Sequence, residues 1–169
     1  AGAKLEHWPD DALAGKYAAS FGEWRREQIT RLVRAVSREA HKLKPGIKVS
    51  AALSPNWETA RTAVGQDAQA WVDAGYLDFV CPMNYEGDDF DFSDHLHRLV
   101  GAVNHKIPCY AGIGMHTLSG SEQLARQIQL SREQGADGFV IFNLSEKLAI
   151  RALPSLRLGV TSEPPLSPP

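Results

Sequence analysis

The sequence predicts an α/β protein assembled from parallel β/α units, and three observations predict it. Apolar segments of strand length open at Lys48, Asp78, Ile107 and Gly138, a repeat of about thirty residues, which is the size of one βαβ step. Between them lie stretches whose apolar residues recur at helical spacing. Crossovers of this kind are right-handed, which forces successive strands to run parallel. Four strands cannot close a cylinder, and a complete (β/α)8 barrel needs roughly 200 residues or more, against 169 here. The chain is therefore an open doubly wound sheet or half of a TIM-type barrel. A half-barrel would expose strand edges and an apolar face, and would need either its other half or a second copy as partner.

The first nineteen residues show no sustained period, and Trp8-Pro9-Asp10-Asp11 reads as a turn. Ser20-Phe21-Gly22-Glu23 has the form of a capping box opening a helix, with Ile29, Leu32, Val33, Val36, Ala40 and Leu43 on the expected buried face. Lys44-Pro45-Gly46 ends it. The first strand, 48–54, closes at Pro55-Asn56-Trp57. One helix carrying Val64, Ala68, Trp71 and Val72 follows and stops at Gly75. Leu77-Asp78-Phe79-Val80-Cys81-Pro82-Met83-Asn84-Tyr85-Glu86 is an apolar strand ending abruptly in an amide, a phenol and a carboxylate. Residues 87–92 read as an acidic loop, with Ser93 capping a helix that packs through Leu96, Leu99, Val100 and Val103.

The third strand, 107–115, ends in glycines that imply close approach of another backbone or a ligand. Ser119-Gly120-Ser121-Glu122 repeats the capping-box form before a helix with Leu124 and Ile128 inward and Gly135 as its stop. The fourth strand, 138–143, again finishes in an amide, and a short helix through Leu148, Ala149 and Leu153 follows. The organisation expected is a partial (β/α) barrel domain over 1–153 and a Pro-rich tail or linker over 154–169.

Composition limits the partners. Eighteen Lys and Arg against twenty Asp and Glu give a net charge of −2, with both signs dispersed, so neither nucleic acid nor an anionic membrane surface is indicated. No apolar run approaches the roughly 20 residues of a membrane span. Cys81 and Cys109 read as buried free thiols. No metal set or cofactor fingerprint is present: His95 and His97 are too close on one helix to share an ion, and Gly112-Ile113-Gly114 lacks the spacing of a phosphate loop.

Trp24-Arg25-Arg26, Lys44-Pro45, Ser54-Pro55, Gly65-Gln66-Asp67 with Trp71, the run from Gly75 to Tyr85, and Tyr110-Ala111-Gly112-Ile113-Gly114 together resemble the bacterial glycosyl hydrolase-like 10 family, in order from Trp24 to Asn143. The resemblance implies a TIM-type barrel acting on glycans, those of the bacterial cell wall among them, of which this chain supplies strands five to eight, in a periplasmic or extracellular setting. The family's Asp-rich segment at the end of the fourth strand has no counterpart, and Asn84 stands where many relatives carry Asp.

Glycoside hydrolysis uses two carboxyl groups flanking the scissile bond. Glu58, Glu86, Asp88, Asp89, Asp91 and Glu146 lie near strand ends, and Glu86 directly follows Tyr85, which makes these two the candidate catalytic residues. A phenol at a strand end can donate to a sugar oxygen or support an oxocarbenium-like charge. Asn56, Asn84 and Asn143 offer amides for sugar hydroxyls, Trp57 a stacking surface, and His116 an acid or base. These five are the candidate substrate-binding residues.

Overall fold

Helices and short parallel strands alternate along the chain: α1 (Asp10–Leu13), α2 (Ala18–Leu43), β1 (Ser50–Leu53), α3 (Trp57–Ala63), α4 (Ala68–Asp73), β2 (Phe79–Pro82), α5 (Asp89–Val103), β3 (Tyr110–Gly114), α6 (Ser121–Glu133), β4 (Gly138–Phe142), α7 (Glu146–Arg151) and α8 (Leu153–Leu158). The computed structural model describes residues 6–143 and 145–162. They divide into two units, Ala1–Val49 with Asn56–Leu77, and Ser50–Pro55 with Asp78–Pro169.

The first unit is helical. The segment expected to be irregular contains α1 and a 3-10 turn at Gly15–Tyr17. The α2 helix starts at Ala18, two residues before the expected capping box, and Ser20 lies inside it with its hydroxyl donating to the Tyr17 carbonyl. The buried side of α2 also differs from expectation. Leu32, Val36 and Leu43 are 63%, 52% and 85% exposed, whereas Arg26 and Ser37 are buried. Tertiary bonds turn the helix this way: Trp71 Nε1 donates to Thr30 Oγ1 at 2.9 Å, and Arg26, which also pairs with Glu23 within the helix, meets Asp67 at 3.6 Å.

Two helices occupy the stretch expected to hold one. Between α3 and α4 the chain breaks at Gly65, whose φ is +73°, a left-handed backbone that glycine adopts without steric cost. A Cβ there would lie 3.0 Å from Ile29 Cδ1 and 3.3 Å from Arg26 Cα. Arg25 donates to the carbonyls of Thr62 and Ala63 at 2.9 Å each, satisfying groups left open at the end of α3. The Trp24-Arg25-Arg26 and Gly65-Gln66-Asp67 motifs are thus two halves of one clasp.

In the second unit all pairing is parallel. Strands β1 and β2 pair with Leu53 opposite Pro82, β3 and β4 pair with Gly114 opposite Phe142, and a bridge between Val80 and Cys109 joins β2 to β3. Helices α5, α6 and α8 bury Phe92, Leu96, Leu124, Ile128 and Leu156 against Ala111 and Ile113 of β3. Each large side chain fully buried there contributes about 1.5–3 kcal/mol relative to exposure. The alternate strand residues point the opposite way, and of these Val140 and Phe142 are 44% and 49% exposed. Gly112 is fixed by contact with the neighbouring strand, since a Cβ would overlap the Pro82 carbonyl oxygen.

The α5 helix begins earlier than expected, because Asp88 rather than Ser93 caps it, accepting from Phe90 N and Asp91 N at 2.8 and 3.1 Å. The α6 helix has no capping box either. Gln123 reaches back instead, and its Oε1 accepts from the Ser119 amide and hydroxyl. Leu124 and Ile128 face inward and Gly135 ends the helix region with φ +79°, as the pattern predicts. The boundary expected at Pro154 falls within α8, where proline occupies the first turn and costs no hydrogen bond. The Leu148 side chain and residues 163–169, most of the expected tail, lie outside the described residues.

Candidate functional site

The C-terminal ends of β2, β3 and β4 bring three rings together. After β2 the backbone folds in two successive tight steps, Asn84 N donating to Pro82 O and Tyr85 N to Met83 O at 2.9 Å each. These steps carry the Tyr85 ring over Gly114. A Cβ on Gly114 would fall 2.7 Å from Tyr85 Cβ and 2.9 Å from its Cγ, so the absence of a side chain is what admits the ring. Phe142 stacks on Tyr85 with centroids 5.3 Å apart and planes at 13°. His116 closes the third side edge-on, 5.5 Å from Tyr85 and 6.2 Å from Phe142. Its position follows from the turn after β3, in which Thr117 N and Oγ1 both donate to Gly114 O.

Burial pushes the Tyr85 phenol up from its ordinary value, with a further contribution from nearby Cys81. The hydroxyl therefore keeps its proton at neutral pH and acts as a donor. Offset-parallel and edge-on rings of this kind present apolar faces with two polar handles, that hydroxyl and the His116 imidazole nitrogens.

The loop between Tyr85 and α5 is anchored from α6. Gln127, fully buried, donates to Glu86 O at 2.9 Å, and Gln123 donates to Gly87 O at 2.7 Å. Asp89 is the centre of the anchor, accepting from Arg126, Gln123 and Gln127. Burial alone would raise its carboxyl, but these hydrogen bonds and the Arg126 charge outweigh it and hold the pKa below the ordinary value. Glu86, half-buried, meets His95 Nδ1 of α5 at 3.1 Å.

Of the residues singled out in the sequence, Tyr85 and His116 meet directly, and Asn143 follows Phe142 at the same end of the sheet and is exposed. Asn84 is fully buried, with Nδ2 donating to Phe92 O at 2.8 Å, so its amide ties the strand end to α5. Asn56 and Trp57 belong to the helical unit, where Asn56 Oδ1 caps α3 by accepting from Thr59 N at 2.9 Å. Among the other carboxylates, Asp88 caps α5, while Glu58, Asp91 and Glu146 lie in the first turns of α3, α5 and α7. Phe142, His95, Gln123 and Gln127 were not indicated by sequence. Phe142 alone left a signal, as the last member of the Val140, Phe142 alternation opposite Phe139 and Ile141.

The region that supplies Tyr85, Gly114 and the glutamine anchor is also the region with a family match. Residues 5–127 match Glycosyl hydrolase-like 10, well over half of the chain. This chain belongs to that family. The match to Glycosyl hydrolase-like 10 takes in the whole clasp of the helical unit and ends within α6, so Phe142 and Asn143 lie beyond it. No curated protein matches the chain. Among the described residues no helix is long and apolar enough to cross a membrane, and no group of three His, Cys, Asp or Glu side chains could hold a metal ion.

Proposed function

We propose that the second unit is the sugar-holding wall of a glycoside hydrolase-like barrel and corresponds to its later strands, with cell-wall glycan of bacteria as the ligand class and a periplasmic or extracellular site of action. The observation that carries this reading is the stack of Phe142 on Tyr85, closed by His116, at the C-terminal ends of three parallel strands joined in sequence order. Ligand sites of (β/α) barrels form at that end of the strands. The placement of α5, α6 and α8 against one set of strand side chains supports a barrel segment over a doubly wound sheet, which would carry helices on both faces.

In this reading the phenol of Tyr85 donates to a sugar oxygen, the Phe142 ring holds the apolar face of the pyranose, and Asn143 with His116 meets its hydroxyls. Hydrolysis needs two carboxyl groups. Glu86 is the candidate within this unit, and the second comes from the complementary β/α units or from a second copy completing the barrel.

A non-catalytic, glycan-binding role is the second reading. It is favoured by the engagement of the strand-end carboxylates: Glu86 with His95, and Asp89 with Arg126 and two glutamines.

Titration with soluble cell-wall glycan fragments, paired with an assay for released reducing ends, tests both. Tyr85→Phe should weaken binding about five- to tenfold, the net worth of one hydrogen bond of about 1 kcal/mol. Unchanged affinity in Tyr85→Phe and Phe142→Ala would overturn the site. Binding without product release, persisting when complementary barrel units are supplied, selects the second reading.

A further inference from the structure

The helical unit carries a separate aromatic surface. Trp8 and Trp24 are 66% and 57% exposed, unusual for a residue type that is buried to a high degree on average. They do not stand alone. Phe21 stacks on Trp24 with centroids 5.7 Å apart and planes at 21°, and Trp8 meets Phe21 edge-on at 5.7 Å. Phe21 thus backs the two indoles and fixes them as one platform.

The platform is preorganised. Phe21 and Trp24 sit three residues apart on the first turns of α2, the spacing that brings side chains to one helix face. The turn bearing Trp8 is closed by Asp11, whose Oδ2 accepts from the amides of Glu6 and His7 at 2.7 and 2.9 Å. Little order has to be gained on binding, which lowers the entropic cost.

The surrounding charges are already engaged within the chain. Lys16 lies over the Tyr17 ring at 4.9 Å, Arg25 is held by the Thr62 and Ala63 carbonyls, Glu23 pairs with Arg26, and Asp11 closes its own turn. What the surface offers is therefore indole faces beside fixed charges of both signs, Asp11 and Glu23 against Lys16, Arg25 and Arg26, with no block of one sign to select a charged ligand. A neutral ligand with an apolar face and a polar rim fits it, and a pyranose ring has that form: C–H bonds on its face and hydroxyls around its edge. An aliphatic protein partner would meet no aliphatic side chain of this trio.

We infer that Trp8 and Trp24, backed by Phe21, form a second glycan-binding surface that stacks on pyranose rings of an uncharged stretch of polysaccharide. It rests on the family's glycan chemistry but uses none of the strand-end residues, so the two sites can fail separately.

Co-sedimentation of the full chain with insoluble chitin and with purified peptidoglycan sacculi tests it, using Trp8→Ala/Trp24→Ala and Tyr85→Ala in parallel. The tryptophan variant should lose retention at least tenfold on one of these glycans while keeping the wild-type circular dichroism spectrum and a cooperative melt, which shows that it is still folded. Trp8→Phe/Trp24→Phe should recover part of the retention. Equal retention of wild type and tryptophan variant overturns the inference, and so does an absence of wild-type retention on both glycans. Loss of wild-type self-association in the tryptophan variant by light scattering would also overturn it, because a second copy would then be the occupant. If the tryptophan variant is retained and Tyr85→Ala is not, only the strand-end site survives; the reverse pattern leaves only the platform.

Discussion

Gly114 and Tyr85 occupy one position between them: the ring of Tyr85 lies where a side chain on residue 114 would begin, 2.7 Å from the nearest ring-bearing carbon. Gly114→Ala must therefore displace Tyr85 or shift β3. Overpacking of this kind costs about 1–3 kcal/mol. The expected result is a lowered melting temperature together with loss of glycan affinity at least as large as in Tyr85→Phe. A variant that keeps full affinity would show that the Tyr85 position is not needed for binding.

Asn84 gives a second prediction. Its amide donates to a buried carbonyl, that of Phe92, and Asn84→Asp replaces that donor with a carboxyl group of nearly the same size. An ionised carboxylate would face an acceptor, so burial and this carbonyl should raise the new group's pKa in the folded state. With the folded value above the unfolded value of about 3.9, the variant is least impaired below that unfolded value. Stability is then lost as pH rises through the folded pKa. Urea unfolding at pH 4 and pH 8 should show a larger deficit at pH 8, and an equal deficit at both would refute the assignment.

Asp89 has the opposite sign. Its carboxyl is held below the ordinary value because the hydrogen bonds from Arg126, Gln123 and Gln127 outweigh the effect of burial. Its stabilising contribution is fully present above the unfolded pKa of about 3.9 and is lost as pH falls through the depressed folded value. Asp89→Asn should therefore flatten the acid limb of the stability profile. It should also loosen the Glu86-Gly87 loop, seen as faster amide exchange there at neutral pH; unchanged exchange would separate the anchor from the loop.

The sequence carried the parallel strands, the inward Leu124 and Ile128, and the stops at Gly75 and Gly135, because each depends on local period or on glycine's backbone freedom. Helix starts were less legible. Ser20, Ser93 and Ser119 all have cap chemistry, yet their helices begin elsewhere or use other groups. Asp88 intercepts the amides of α5 first, and the Ser119 amide is satisfied by Gln123. The break at Gly65 and the rotation of α2 onto Arg26 come from the clasp, a contact between segments about forty residues apart in the chain.

The site followed the same division. Tyr85 could be singled out because it ends an apolar strand. The part played by Phe142 depended on register, which sets it opposite Gly114 and so beside the ring that Gly114 admits.

The two cysteines supply a built-in clock for motion in this sheet. Cys109 is 2% exposed and its thiol is pushed up to about 12, chiefly by burial and then by the Asp137 and Cys81 charges. Cys81 is less buried and only its desolvation raises it. Since thiolate is the reactive form, an alkylating reagent at neutral pH should mark Cys81 during small local openings and Cys109 only when β2 and β3 part. The ratio of the two labelling rates then reports, without any mutation, whether a bound glycan or a completing barrel half quiets the sheet locally or throughout.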